Sequence, residues 1–215
     1  MSLANQFIVS DSVSRPVGQH DVFGLRTAPL SVVHVGFIGL GERGRQAVMR
    51  WCHIPHTEIV AICDISSERI NSAQSIMADN GVNTCFTTTN AETLCQREDL
   101  DLVYICTDWE SHADLVCCAL TNGKHVEVPA AMTVKDCWRI VNLAERQQLH
   151  CMMLENACYD YFEMATAAMA HAGKFGSIIH ATGGYHHWLN NRWEPWRLRY
   201  NYANRGDIYP THGLG

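Results

Sequence analysis

The sequence predicts an α/β protein built on a doubly wound parallel sheet, and three observations predict it. Short, nearly all-apolar runs recur between residues 32 and 154, as strands buried on both faces read. Segments of helical spacing separate those runs. At the first strand-to-helix junction stands a glycine cluster, Gly39-Leu40-Gly41-Glu42-Arg43-Gly44.

The elements follow in order. Val32–Ile38 is the first predicted strand, and Glu42 to about Cys52 the first helix. Glu58–Cys63 reads as the second strand, ending at Asp64, after which Ser66 caps a helix running to Asp79. Thr84–Thr87 is a weak strand and Ala91–Arg97 a short helix. Leu102–Cys106 is a core strand, followed by a helix from Ser111 to Leu120. Asn122-Gly123 stops that helix, because glycine readily takes the left-handed conformation just past a helix end. His125-Val126 is a short strand, Thr133–Gln147 a helix, and Cys151–Leu154 the last strand of the alternation.

Three regions result. Residues 1–30 lack a period and contain Pro16, Gly18, Gly24 and Pro29, so they read as an extended arm or a tail. Residues 31–156 form the doubly wound domain. Residues 157–215 begin a second α+β domain, with a helix over Tyr159–Ala172 and a β-prone stretch over Ser177–Leu189, and they complete no sheet.

Composition narrows the function. With 47% hydrophobic and 18% charged residues in 215, the chain can bury a real core. A net charge of −6 offers no basic footprint for nucleic acid, so an anionic ligand must be held by local backbone donors. Ten cysteines show no C-x-x-C spacing and lie mostly in apolar runs, which reads as small buried hydrophobes in a reducing compartment rather than as a metal site. No apolar run is long enough to span a membrane and no leader is visible. The cytoplasm is the expected location, with the periplasm after removal of a leader as the alternative.

Gly39–Gly44 is a G-x-G-x-x-G motif that directly follows a strand and opens a helix. The glycines serve a tight turn, a close backbone approach to a pyrophosphate, and packing of helix on strand. The helix end then points unpaired N–H groups at the phosphates. Asp64 lies twenty residues past Gly44 at the tip of the next strand, where a carboxylate accepts from ribose hydroxyls and repels a 2′-phosphate. The unit is therefore a Rossmann-type site for NAD, with Arg69 near enough to keep NADP open. Thr107-Asp108-Trp109-Glu110-Ser111-His112 follows the fourth strand on the same edge. Trp109 is placed to pack on the cofactor and His112 to donate to it; simple packing for Trp109 and a helix cap for Ser111 stay open. Glu127 and Asn156 follow the next two strands and suit the nicotinamide ribose or carboxamide.

Taken together, G-F-I-G-L-G-E-R-G, C-D, T-D-W-x-x-H, G-K-H-V, E-V-P-A-A, L-E-N and R-G-D-I-Y-P-T-H-G resemble the Gfo/Idh/MocA oxidoreductase superfamily. Within it the chain is most similar to glycoside hydrolase family 109, the NAD-dependent α-N-acetylgalactosaminidases. The resemblance covers residues 32–215, and members of the family are considerably longer, which implies that much of the second sheet and of the sugar pocket lies beyond these residues.

Position by position, the resemblance implies cofactor contacts at Glu42, Arg43, Asp64, Trp109, Ser111, His112, Glu127, Val128 and Asn156. It implies sugar contacts at Tyr185, Arg197, Tyr209, Thr211 and His212, where rings cover apolar sugar faces and Arg, Tyr and His bond hydroxyl and acetamido groups. For Tyr185 and Trp188 an ordinary core role is the alternative. The implied reaction is redox-assisted hydrolysis of a terminal α-N-acetylgalactosamine. C3 is oxidised to a ketone, a base takes the acidified proton at C2, the C1–O bond breaks by elimination, water adds, and the hydride returns. His212 and Tyr209 are the expected proton-transfer pair.

Two departures stand out. Superfamily dehydrogenases have E-K-P where this chain has Glu127-Val128-Pro129, so Val128 removes a lysine that assists proton transfer. The family also places two more residues between G-K-H-V and E-V-P. Their loss keeps strand parity but shortens the strand by ~6–7 Å, with two expected outcomes: Glu127 is drawn back from the nicotinamide, or a bulge or remodelled loop makes up the length. Two other readings remain, an NAD(P)-dependent sugar oxidoreductase and a non-catalytic dinucleotide-binding fragment. A homo-oligomer is a further expectation, since an open sheet start attracts partners.

Overall fold

A computed structural model describes residues 15, 17–22, 24–82, 85–127, 131–153 and 159–182, with backbone alone at Trp109 and Glu127. Strands β1 (Val33–Ile38), β2 (Thr57–Cys63), β3 (Phe86–Thr88), β4 (Leu102–Ile105), β5 (His125–Glu127) and β6 (Cys151–Met152) form one parallel sheet. Their order is β3-β2-β1-β4-β5-β6, so the chain winds outward from β1 in one direction, returns to β4, and winds outward in the other.

Helices cover both faces, which is why the strands read as unbroken apolar runs. Residues of β1 alternate between two cores: Val35 and Phe37 meet α1 (Glu42–Trp51) and α2 (Ser67–Asp79), while Ile38 belongs to the opposite core. That second core carries Val103, Ile105, Leu94 and Leu120 beneath α3 (Ala91–Cys95), α4 (Trp109–Thr121) and α5 (Val134–Gln147). Phe37, Leu40, Ile62, Leu94, Ile105 and Leu120 are fully buried. Each such side chain contributes about 1.5–3 kcal/mol of transfer free energy. Phe37 stacks on Tyr104 at 5.2 Å, and Trp51 meets both rings edge-on.

The predicted elements of the doubly wound domain all occur, with shifted ends. β1 starts at Val33, the third strand at Phe86, and the last strand stops at Met152. Gly123, at φ +75°, ends α4 as the Asn122-Gly123 pair predicts. The start of α4 is a correction: Ser111 is not its cap. Asp108 is, and its carboxylate accepts from the Ser111 N–H at 2.9 Å, so the helix begins at Trp109. Aspartate outcompetes serine here because it stands where the chain is still extended, with first-turn donors in reach.

Outside the sheet, Arg15 and Gln19 lie along α5. The Arg15 guanidinium donates to both carboxylate oxygens of Glu145 at 2.7–3.0 Å, and Gln19 donates to Glu145 at 2.6 Å and to Asn142 at 2.9 Å. These donors satisfy a carboxylate that is only 3% exposed and hold its pKa down. Helix α6 (Tyr161–His171) buries none of its residues. The β-prone stretch from Ser177 differs from expectation: 177–182 are exposed and form no ladder, because no described strand runs beside them. Residues 183–189 of that stretch lie outside the described residues.

Candidate functional site

In an open sheet of this kind, ligands sit outside the carboxyl ends of the strands where the winding direction reverses, here between β1 and β4. Three segments converge there: the glycine turn after β1, Asp64 after β2, and Thr107–His112 after β4.

Gly39 has φ +92°, which side-chain-bearing residues rarely adopt. A Cβ there would also lie 2.6 Å from the Cys106 carbonyl oxygen, so glycine lets the β1 turn sit directly on the β4 turn. At Gly44 a Cβ would run into the Gly39 carbonyl oxygen, so helix α1 packs onto the turn only through glycine. Gly41 differs from both. A Cβ there would meet nothing within 4 Å, and as the N-cap of α1 it supplies no side chain to the first turn. The N–H groups of that turn, next to exposed Glu42 and Arg43, keep their partial positive charge for an anion.

Asp64 is buried, 5% exposed. One of its oxygens accepts from the Leu40 N–H at 2.6 Å, inside the glycine turn, and the other accepts from the Ser66 N–H at 2.9 Å. The carboxylate thus ties the turn to β2, and each oxygen retains a lone pair for a hydroxyl donor. Arg69 stands 3.7 Å away, a half-exposed guanidinium that partly offsets its charge.

Beyond β4, His112 is fully buried, and its Nδ1 lies 3.3 Å from the Thr107 hydroxyl. Burial pushes its pKa down to about 4 against the pull of Asp108, so the ring is neutral near pH 7. Among the described residues, Nε2 has no hydrogen-bond partner. A buried polar atom left unpaired costs ~1–3 kcal/mol, so the arrangement leaves this nitrogen free to meet a group beyond the described residues, a bound ligand among them. Ser111 Oγ stands 3.0 Å from the Asp108 carboxylate. The backbone of Glu127 ends β5 opposite Tyr104 and Met152, one ladder step inside the line through Ile38, Cys63 and Ile105.

The structure therefore brings Gly39, Gly41, Glu42, Arg43, Gly44, Asp64, Ser111 and His112 to the carboxyl ends of β1, β2 and β4. Val128, Asn156, Tyr185, Arg197, Tyr209, Thr211 and His212 lie outside the described residues, as do the side chains of Trp109 and Glu127. Sequence reasoning missed Thr107 as the partner of His112 and the Leu40–Asp64 latch. The latch left no signal, since its donor is a backbone N–H. Burial pushes the thiols of Cys63, Cys85 and Cys151 up to about 11, which makes them packing groups rather than nucleophiles. A bare helix end, an open glycine face, a carboxylate on the next strand and an orphaned imidazole nitrogen fit a dinucleotide.

Comparison with known proteins agrees. Residues 33–155 match the family model described as "Oxidoreductase family, NAD-binding Rossmann fold", that of Gfo/Idh/MocA. Among curated relatives, "Glycosyl hydrolase family 109 protein 1" of Bacteroides thetaiotaomicron is 46% identical over 95% of this chain and 46% of its own length. The protein of the same name from Bacteroides fragilis is 48% identical over 94% of this chain and 46% of its own. The chain thus spans about half the length of the curated relatives it matches. Among solved structures, myo-inositol dehydrogenase from Lactobacillus casei, in complex with NAD(H) and myo-inositol, superposes with a TM-score of 0.61 at 27% identity, covering 68% of this chain and 43% of that one. Scyllo-inositol dehydrogenase from the same organism gives 0.60 at 20% identity over 68% and 43%, a likeness of fold. The glycine turn, the carboxylate after β2 and this match together place the chain in the Gfo/Idh/MocA oxidoreductase family, with NAD as the cofactor of its Rossmann domain.

Proposed function

We propose that the chain is the cofactor-holding part of an NAD-dependent glycoside hydrolase that removes terminal α-N-acetylgalactosamine from glycans. The observation that carries this reading is 46–48% identity, across nearly the whole chain, to proteins named glycosyl hydrolase family 109.

When bound, NAD supplies a reversible acceptor for the hydride at a sugar carbon. The chain's own groups do the rest. The bare N-terminus of α1 and Arg43 neutralise the pyrophosphate, and Asp64 accepts from the adenosine ribose hydroxyls. Trp109, Ser111 and His112 line the cofactor beyond β4, while Glu127, Val128 and Asn156 hold its nicotinamide side. Tyr185, Arg197 and Thr211 orient the sugar. Val128 leaves no lysine beside Glu127, so proton transfer falls to His212 and Tyr209.

A second reading, an NAD(P)-dependent sugar oxidoreductase, is favoured by the 27% identity to an inositol dehydrogenase. One assay separates them: an aryl α-N-acetylgalactosaminide is supplied with NAD⁺, and aglycone release and NADH absorbance are followed together. Aglycone without net NADH supports the hydrolase, and steady NADH formation the oxidoreductase. Neither signal, with NAD binding still measurable, makes the chain a non-catalytic dinucleotide-binding unit.

A further inference from the structure

Across the amino edge of the sheet, away from the glycine turn, titratable side chains occupy one row through five neighbouring strands. Glu58 of β2 is in register with His34 of β1, its carboxylate 3.8 Å from the ring Nε2. The other ring nitrogen of His34 lies 3.4 Å from Asp101, just before β4, whose carboxylate also accepts the His34 backbone N–H at 2.8 Å. His125, the first residue of β5, donates its backbone N–H to the Asp101 carbonyl at 3.0 Å. His150, just before β6, places its ring 5.1 Å from that of His125 and donates its backbone N–H to His125 Nδ1 at 2.9 Å.

The row therefore runs acid, imidazole, acid, imidazole, imidazole, and its last two members face each other. Accepting from His150 requires His125 Nδ1 to be unprotonated. A proton there sets N–H against N–H. Few groups offset this. Asp101 faces His125 from the β4 side. Lys124, next in sequence, turns its ammonium to the carbonyls of Arg97 and Leu100. Helix α4, packed against β5, carries Glu110 and Asp114 near its other end. Burial first, and His150 second, hold the His125 ring below its ordinary pKa, so it is neutral near pH 7 and charges on acidification. Among the described strands β6 is the sheet edge, and it is only two residues long, so the His150 contact is a large share of what fixes it to β5.

We propose that His125 and His150 are positioning residues that latch β6 to β5, and that a proton on the His125 acceptor nitrogen loosens the far ends of both strands, where the cofactor's nicotinamide side is held. This rests on the functional reading above, in which Glu127 ends β5 and Asn156 follows β6. The sign follows from the lowered proton affinity of the folded state: the latch is whole above the ordinary histidine range and is lost as pH falls through and below it.

The test is amide hydrogen exchange on the whole chain at about pH 7.5 and about pH 5.5, corrected for intrinsic rates, with NAD titrated under both conditions. At the lower pH His112 is still largely neutral, since its pKa is about 4. Protection of 125–127 and 151–152 is expected to fall about tenfold further than that of β1 and β2, and NAD affinity by about threefold or more. His125→Asn keeps an acceptor near the Nδ1 position but cannot be charged, and it should flatten both changes; His125→Gln, which also cannot be charged, serves if that variant does not fold. Equal loss across the sheet, or the same acid response in the uncharged variants, overturns the latch. If protection falls as expected while NAD affinity stays constant, the coupling is overturned through the cofactor reading, and the latch alone survives.

Discussion

Helices α1 and α4 start at the same edge of the sheet, behind neighbouring strands, yet their first turns are closed in opposite ways. Gly41 leaves the start of α1 bare, with open space before it. Asp108 puts a carboxylate on the start of α4, accepting from the Ser111 N–H. Side chains of Ser66, Asn90 and Thr133 likewise cap α2, α3 and α5. A cap is worth about 1 kcal/mol to a helix, so leaving α1 without one forgoes stability in exchange for an anion site. An uncapped end beside a carboxylate-capped one also gives the crevice direction: a pyrophosphate is drawn to α1 and repelled from α4.

That comparison can be broken at its strongest point by Gly44→Val. The added side chain forces α1 off the Gly39 carbonyl, and we expect a loss of about 3 kcal/mol or more, a fall in Tm of roughly 10 °C. An unchanged melting curve would show that the close packing of α1 on its turn is not required. Gly41→Asp instead turns the start of α1 into a copy of α4. NAD affinity should fall about 100-fold, close to 3 kcal/mol, while Tm stays level or rises slightly. Retained binding in calorimetric titration would refute the bare end as the phosphate seat.

The acid response sharpens the comparison next. His112 has a pKa of about 4 in the folded chain and an ordinary value of 6.5, so its contribution to stability is complete above pH 6.5 and is lost as pH falls toward 4. The total is at most about 3 kcal/mol. Denaturant melts through this window should show the decline, and His112→Asn should remove that component; identical slopes in both proteins would mean that other groups carry it. The smallest effect belongs to Asp108→Ala, which should cost about 1 kcal/mol, some 2–4 °C in Tm, and should weaken NAD binding less than Gly41→Asp. A larger binding loss there would reverse the roles assigned to the two helix starts.

Much of this was legible in the chain itself. The alternation of apolar runs with helical spacing located every strand of the sheet to within a few residues, because strands buried on both faces must be apolar throughout. The spacing of Gly39, Gly41 and Gly44 announced the turn, since it lies within one strand–turn–helix segment, whereas the Cys106 carbonyl that crowds Gly39 comes from the distant end of β4. Helix starts were less legible. Asp108 and Ser111 are both good caps by type, and the choice depends on which stands in extended backbone when the helix begins. The arm was undecipherable, because Arg15 and Glu145 are 130 residues apart and nothing local marks either as a partner.

What the sequence alone determined is the doubly wound domain and its dinucleotide turn, because period, apolar runs and glycine placement act over a few residues. Tertiary structure decided the rest. It sank Asp64 beneath the turn and bonded it to Leu40, left His112 buried with one nitrogen unpaired among the described residues, and stopped Glu127 one step inside the sheet edge. Each of those depends on which strand lies beside which, and on the water excluded between them, and such pairings between distant segments leave no mark in neighbouring residues.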